Sequence, residues 1–254
     1  MITLITDFAS RDWFVGTLKG VILGINPEAP PVDITHEIPP GDIRAGAFAL
    51  MSSYRFFPRG TVHLAVVDPG VGSHRRAIAV KTANYFFVGP DNGVLSFALK
   101  DEKIKDVRLL NNPEYFLKPV SHTFHGRDVF APVAAHLSRG MAVSKFGSKQ
   151  KEMVKLLWPE PAFSRDRISG EVVYVDRFGN AITNIPNTSF PHAKKASVFI
   201  GGKRVCAIEP FYQSVPPGKP LAVQGSSGFL EIAINGGSAA KSLKLEVGAA
   251  VSVR

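Results

Sequence analysis

Short apolar runs and helical stripes alternate along the first part of the chain. "ITLIT" (Ile2–Thr6) is a β-branched run, and after it Phe14, Leu18, Val21, Ile22 and Ile25 recur at the spacing of one helix face. "PVDIT" predicts a second strand. "DIRAGAFALMSSYRFF" predicts a helix with Asp42 near its start, and "TVHLAVV", "RAIAVKT" and "YFFVG" predict further strands. "NGVLSFAL" is a helix candidate, and "GRDVFAPVAAHLSRG" reads as a helix closing on Gly140. Strands alternating with helices specify an α/β layer built on a mostly parallel sheet. The pattern changes at "LWPEPAFSRDR" (Leu157–Arg167), where prolines and mixed charges predict a linker. Beyond it come "EVVYVD", "AITNI", "ASVFI", "KRVCAIE", "PLAVQG", "FLEIAI" and "AAVSVR", short strands with turns and no helix. The expected organisation is an α/β domain over residues 1–157, a linker over 158–167, and a small all-β barrel or sandwich over 168–254.

Composition adds mainly exclusions. The 254 residues are 45% hydrophobic and 20% charged, as in ordinary globular domains. The net charge of +9 comes from scattered groups such as "KEMVK", "HAKK" and "GGKR". Without a basic helix or aromatic-interleaved stripe, this favours a soluble basic surface over a nucleic-acid partner. The single cysteine, Cys206, excludes an internal disulfide, argues against a thiol metal site and fits a reducing compartment. "MITLITDF" lacks the basic start and cleavage site of a signal peptide, and no apolar run approaches the ~20 residues of a membrane span. A cytoplasmic protein without a membrane partner is expected.

Ligands of open α/β sheets bind at the carboxyl ends of the strands. "ITDFAS" places Asp7 at such an end, "VVDPG" places Asp68, and "GPDNG" places Asp91 and Asn92. One such carboxylate often only caps the next helix; three together favour a site, with the Asp91–Gly93 segment also readable as a turn. No phosphate-binding glycine motif is present, and "GSSGF" has no helix after it. His122 and His125 alone do not make a metal site, and His136 falls mid-helix, so no metal is expected. No serine sits in a nucleophile elbow and Cys206 has no histidine near it in sequence, which disfavours covalent catalysis.

Six blocks in order carry a resemblance: "ITLITDFASRDWFVGTLKGVI", "VHLAVVDPGVGSHRRAIAV", "FVGPDNGVL", "FHGRDVFAPVAAHL", "VDRFGNAITNI" and "SSGFLEIAINGGSAA". Together they resemble the S-adenosylmethionine hydroxide adenosyltransferases, water-using relatives of the fluorinase and chlorinase enzymes. One departure is Ala9, where the family usually has glycine after "TDF". The resemblance implies a Rossmann-like N-terminal domain, a C-terminal β-barrel and a homotrimer with sites between subunits. It implies hydrolysis of S-adenosylmethionine to adenosine and L-methionine, with S-adenosylmethionine as substrate and no cofactor.

The family's catalytic aspartate, arginine and histidine fall on Asp68, Arg75 and His125. A guanidinium cannot act as a base, but it stabilises developing hydroxide electrostatically. A neutral His125 is able to accept or relay a proton. Adenosine contacts carry over to Asp7, Asp68 and Asn180, with Phe178 placed to stack on the purine. The methionine end maps onto Ser226, Glu231 and the backbone of Ile234, with Ser227 and Asp176 as further candidates. The alternatives are a halogenase, which lacks this Asp–Arg–His set, and a non-catalytic adenosine or S-adenosylmethionine binder.

Overall fold

The computed structural model describes residues 1–189 and 196–254; the basic stretch His192–Lys195 lies outside the described residues. The chain forms two compact units, Met1–Leu157 and Trp158–Arg254.

The first unit contains strands β1 (Ile2–Thr6), β2 (Pro31–Thr35), β3 (Val62–Val66), β4 (Ala77–Thr82), β5 (Phe86–Pro90) and β6 (Ile104–Leu109). Their order in the sheet is β2-β1-β3-β5-β4-β6. β2, β1, β3 and β5 run parallel, and β4 and β6 complete the sheet antiparallel. Helices α1 (Phe14–Ile25), α2 (Ile43–Ser53), the single turn α3 (Ser96–Leu99) and α4 (Ala131–Ser138) connect the strands. The apolar stripe of α1 buries Leu18 and Ile22 against Leu4, Leu64 and α4 residues Val133 and Leu137. Full burial of one such side chain contributes about 1.5–3 kcal/mol. Asp42 caps α2, its side chain accepting from the Ala45 N–H. "NGVLSFAL" forms only α3, because Asn92 and Gly93 (φ +100°) spend the start of that stretch in a turn.

The central strands hold an unusual buried pair. Thr3 and His63 are register partners on β1 and β3, both fully buried, with Thr3 Oγ1 and His63 Nδ1 2.8 Å apart. Tyr54, Tyr85, Phe57 and Phe87 surround the imidazole, and Nε2 has no hydrogen-bond partner. Burial pushes the His63 pKa down to about 3. The unfolded chain therefore binds a proton below about pH 6.5 that the folded chain refuses until about pH 3. Stability from the neutral ring is complete above that window and is lost as pH falls, by at most ~1.4 kcal/mol per pH unit. In urea titrations between pH 4 and 7, the double variant Thr3→Val/His63→Leu is expected to show a clearly shallower pH dependence than the parent. An unchanged slope refutes the assignment.

The second unit contains β7 (Ala162–Phe163), β8 (Ile168–Val175), β9 (Ala181–Pro186), β10 (Ser197–Ile200), β11 (Lys203–Ala207), β12 (Pro220–Gln224), β13 (Phe229–Ile234) and β14 (Ala250–Val253), with the single turn α5 (Ala239–Ser242). The order β11-β10-β14-β8-β9-β13-β12 is antiparallel throughout, and β7 pairs with β8. Beyond β11, Glu209 donates its N–H to Ala222 of β12 at 2.7 Å, so the sheet nearly closes into a barrel. Val172, Ile185, Val198, Leu230, Ile232 and Val251 fill its interior. The stretch expected as linker thus includes residues paired into the sheet at β7. Cys206 is buried here, its pKa pushed up to about 12, so it stays a thiol.

Candidate active site

Asp7 and Asp68 end up together because β1 and β3 are adjacent parallel strands with their carboxyl ends at one edge. Each strand runs straight into its aspartate. Gly41 donates its N–H to Asp7 Oδ2 at 2.8 Å, and the Ala9 N–H bonds the His36 carbonyl at 2.7 Å. Ala9 takes the left-handed conformation (φ +54°), which explains a glycine preference there: a methyl group makes that conformation costly but not forbidden. Burial raises the Asp7 pKa, and the neighbouring Asp68 charge adds to the rise.

After Asp68 the chain doubles back through a glycine-rich turn and returns Arg75 to it. Arg75 Nε lies 2.9 and 3.0 Å from the two Asp68 oxygens, and Nη2 donates to Oδ2 at 2.5 Å. The same Nη2 lies 2.8 Å from His125 Nδ1. The guanidinium also covers the Phe130 ring, at 5.2 Å from its centre. Arg75 has only donors, so Nδ1 must accept, and a neutral His125 carries its proton on Nε2. Burial and the Arg75 charge both push the His125 pKa down, against smaller opposing effects of Asp68, Asp128 and the Ser121 backbone. Arg75 Nη1 makes no hydrogen bond to a described residue.

His125 sits at the head of a π-helical turn, Gly126–Phe130, that leads into α4. Such wide turns are rare and recur at functional sites. The buried Asp128 carboxylate accepts from the Ser121 N–H at 2.8 Å and from Arg127, fixing the loop that carries His125. A cavity of about 160 Å³ opens beside Asp68 and His125, lined by Phe8, Phe14 and Phe124. Phe124 packs edge-on against Phe8 and Phe14, which are themselves tilted against each other, with ring centres 5.2–5.8 Å apart. The result is two carboxylates, one partly unsatisfied guanidinium and one neutral imidazole against an apolar wall, where charges act strongly.

In the second unit, Asp176, Phe178, Asn180, Ser226, Ser227, Glu231 and Ile234 all border one cavity of about 620 Å³. Asp176 accepts from both the backbone and side-chain amide of Asn180, at 2.8 and 3.0 Å. Glu231 is 6% exposed, because side chains on both faces of β13 are covered. Phe178 is 77% exposed, leaving its ring free to meet a flat ligand. Sequence reasoning missed Tyr212, whose hydroxyl donates to Glu231 Oε1 at 2.7 Å. It opens a single 3-10 turn, Tyr212–Ser214, too short for a period to mark it. The aromatic wall of Phe8, Phe14 and Phe124 was equally silent, its members reading as ordinary core residues.

Three other candidates are placed elsewhere. Asp91 follows a strand end but belongs to a structural link, not to the Asp7–Asp68 group. Register brings it beside Arg76, whose Nε donates to it at 2.7 Å, and its other oxygen accepts from the Val154 N–H. His136 packs edge-on against Tyr115, and His122 is exposed. No group of three or more His, Cys, Asp or Glu side chains suited to a metal occurs among the described residues, and no described helix is long and apolar enough to cross a membrane.

The family models for the SAM hydroxide adenosyltransferase N-terminal and C-terminal domains match residues 2–147 and 170–252. A Thermus thermophilus protein named (R)-S-adenosyl-L-methionine hydrolase is 39% identical, over 96% of this chain and 95% of its own. One of the same name from Salinispora arenicola is 38% identical, over 97% and 95%. A Nocardia brasiliensis fluorinase is 27% identical, over 100% of this chain and 96% of its own. The crystal structure of an uncharacterized conserved protein from Thermotoga maritima superposes with a TM-score of 0.94 at 39% identity, covering 100% of this chain and 99% of that one. Both domain models, in order and over most of the chain, place this protein in the SAM hydroxide adenosyltransferase family.

Proposed function

We propose that the protein hydrolyses S-adenosyl-L-methionine to adenosine and L-methionine, water attacking the 5′ carbon. The observation that carries this reading is the Asp68–Arg75–His125 network, in a chain whose full-length relatives are named for that hydrolysis. The sulfonium leaves as a neutral thioether, taking the electron pair of the broken C5′–S bond. No acid is needed on that side, and the difficulty is the nucleophile. Asp68 and His125 together occupy three of the five Arg75 N–H groups, which fixes the fork and leaves the two on Nη1 to hold water and stabilise hydroxide as it forms. One proton of the water is lost to solvent as hydroxide forms, and the other stays on the oxygen as the 5′-hydroxyl of adenosine. His125 acts as the neutral acceptor that steadies Arg75; it takes up a proton at Nδ1 only if Nη2 lets go.

Asp7 and Asp68 are placed for the ribose hydroxyls, Phe178 and Asn180 for adenine, and Asp176, Ser226, Ser227, Glu231 and the Ile234 backbone for methionine. The parallel β2-β1-β3-β5 core supports the Rossmann-like reading of the first unit. The ribose and water-activating groups reside on the first unit and the adenine and methionine groups on the second, which supports sites assembled between subunits of a homotrimer; light scattering tests it, and an active monomer refutes it. No cofactor or metal takes part.

The deciding experiment is product chromatography after incubation with each sulfonium epimer of S-adenosyl-L-methionine in the presence of a chelator, the relatives being named for the (R) form. Adenosine labelled at the 5′ oxygen from heavy-oxygen water is expected. 5′-Chloro-5′-deoxyadenosine as the main product in chloride shows a halogenase instead, and binding without turnover shows a binder.

The His125 shift sets the pH dependence. Protonation removes the acceptor for Nη2, and the pKa lies below the ordinary 6.5. The kcat/KM profile is therefore expected to stay level from pH 8 to 6.5 and to fall only at more acidic pH. A limb centred above pH 7 refutes the neutral-acceptor role.

A further inference from the structure

The cavity of the second unit is one-sided in charge. Asp176 and Glu231 both border it, with the hydroxyls of Tyr212, Ser226 and Ser227, and no lysine or arginine is among its described lining residues. Glu231 is almost fully buried, and burial and the Asp176 charge both raise its pKa. Ser227 Oγ is buried without a hydrogen-bond partner. Tyr212 and Asn180 hold the two carboxylates in place by hydrogen bonds, but neither neutralises them. An amino-acid substrate brings both an ammonium and a carboxylate into this cavity. The ammonium meets two fixed carboxylates. Among the described lining residues of this chain, the substrate carboxylate meets only hydroxyl and backbone donors, in a negative field that opposes it.

We infer that this cavity selects its substrate by the ammonium group and does not require the carboxylate, so the enzyme also hydrolyses the decarboxylated sulfonium, S-adenosyl-3-(methylsulfanyl)propylamine. The inference rests on the proposed function and extends it to a second substrate class, adenosyl sulfonium amines. The chemistry balances as for the parent reaction. The oxygen of water bonds to C5′, the C5′–S pair returns to sulfur, and the products are adenosine, 3-(methylsulfanyl)propylamine and one proton. A polar site rejects an analogue that leaves its own buried groups unpaired far more strongly than one that merely lacks a weakly held group. Loss of the ammonium strands the charged groups Asp176 and Glu231; loss of the carboxylate strands only neutral donors, the exposed Ser226 hydroxyl and the buried Ser227 hydroxyl among them, and an unpaired neutral group costs less than an unpaired charge.

The test compares adenosine release by the full-length protein from three sulfoniums: S-adenosyl-L-methionine, the decarboxylated amine, and the deaminated acid S-adenosyl-4-(methylsulfanyl)butanoate. The expected kcat/KM for the amine is within about tenfold of the parent, and that for the acid is lower by about a hundredfold or more. Glu231→Gln is expected to narrow the gap between amine and acid by about tenfold or more. An amine slower than the parent by over a hundredfold, or an acid as good as the amine, overturns the inference while leaving the hydrolase reading intact. Failure of S-adenosyl-L-methionine itself overturns the hydrolase reading. The comparison in the parent protein stands even if the Glu231 variant misfolds.

Discussion

Arg75→Lys is expected to lose about 100–1,000-fold in kcat, equivalent to ~2.7–4 kcal/mol, with a much smaller change in substrate affinity. The charge survives the substitution but the fork does not. One Arg75 side chain meets both Asp68 oxygens and His125 Nδ1, lies over Phe130, and still has Nη1 to offer. A lysine ammonium is a single point with three donors on a flexible stem, and cannot meet those partners and also present a fixed pair of N–H groups to water. Arg76→Lys is the control. Arg76 bonds the buried Asp91 carboxylate, so its loss is expected in thermal stability, with the rate preserved. Stopped-time assays and thermal melts on both variants decide the matter. A fast Arg75→Lys beside a crippled Arg76→Lys assigns the wrong arginine, and full rate in both removes the electrostatic role.

Gly72→Ala is expected to reduce kcat on the order of 100-fold, because a displacement near 1 Å at a reacting centre costs about that much. Gly72 has φ +76°, and a Cβ built there meets the His122 carbonyl oxygen at only 2.1 Å. Backbone-to-backbone contact at this point brings the loop carrying Asp68 and Arg75 against the loop carrying His125. A methyl group must drive the loops apart and stretch the Arg75–His125 bond. The conformation itself also costs ~1–2 kcal/mol for a residue with a Cβ. Gly60→Ala separates the two effects: Gly60 has φ +86° with nothing within 4 Å of its would-be Cβ. It should lose stability and keep kcat. Equal rates in the two variants would show that the loop contact does not position the site.

Much of the site was legible because its residues stand beside strong local signals. Asp7 and Asp68 close apolar strands, and the intervening glycines and proline allow the chain to turn back from Asp68 to Arg75. His125 precedes a helical stripe. The acidic and hydroxyl residues of the second unit lie next to turns and strand ends in recognisable blocks. Tyr212, Phe8 and Phe124 left no such trace, because their roles depend on what folds against them. β6 was missed for a related reason: its sequence "IKDVRL" belongs to a charged edge strand, half exposed, with no apolar run to announce it. Asp91 carried the same strand-end signal as Asp68, yet antiparallel pairing of β4 with β5 delivered Arg76 to it and made it structural.

By itself the sequence determined the alternation of strands and helices in the first unit, the all-β character of the second and the residue types available for chemistry, because periodicity and turn composition are local properties of the chain. Only the tertiary structure decided which atoms meet. Strand order set Asp7 beside Asp68 and Arg76 beside Asp91. The close approach at Gly72 brought His125 to Arg75, and that contact, a donor-only guanidinium against an imidazole nitrogen, fixed which nitrogen of His125 accepts. Cover over both faces of β13, with Tyr212 folded onto the carboxylate, buried Glu231, which alternation along its strand alone left free to face solvent.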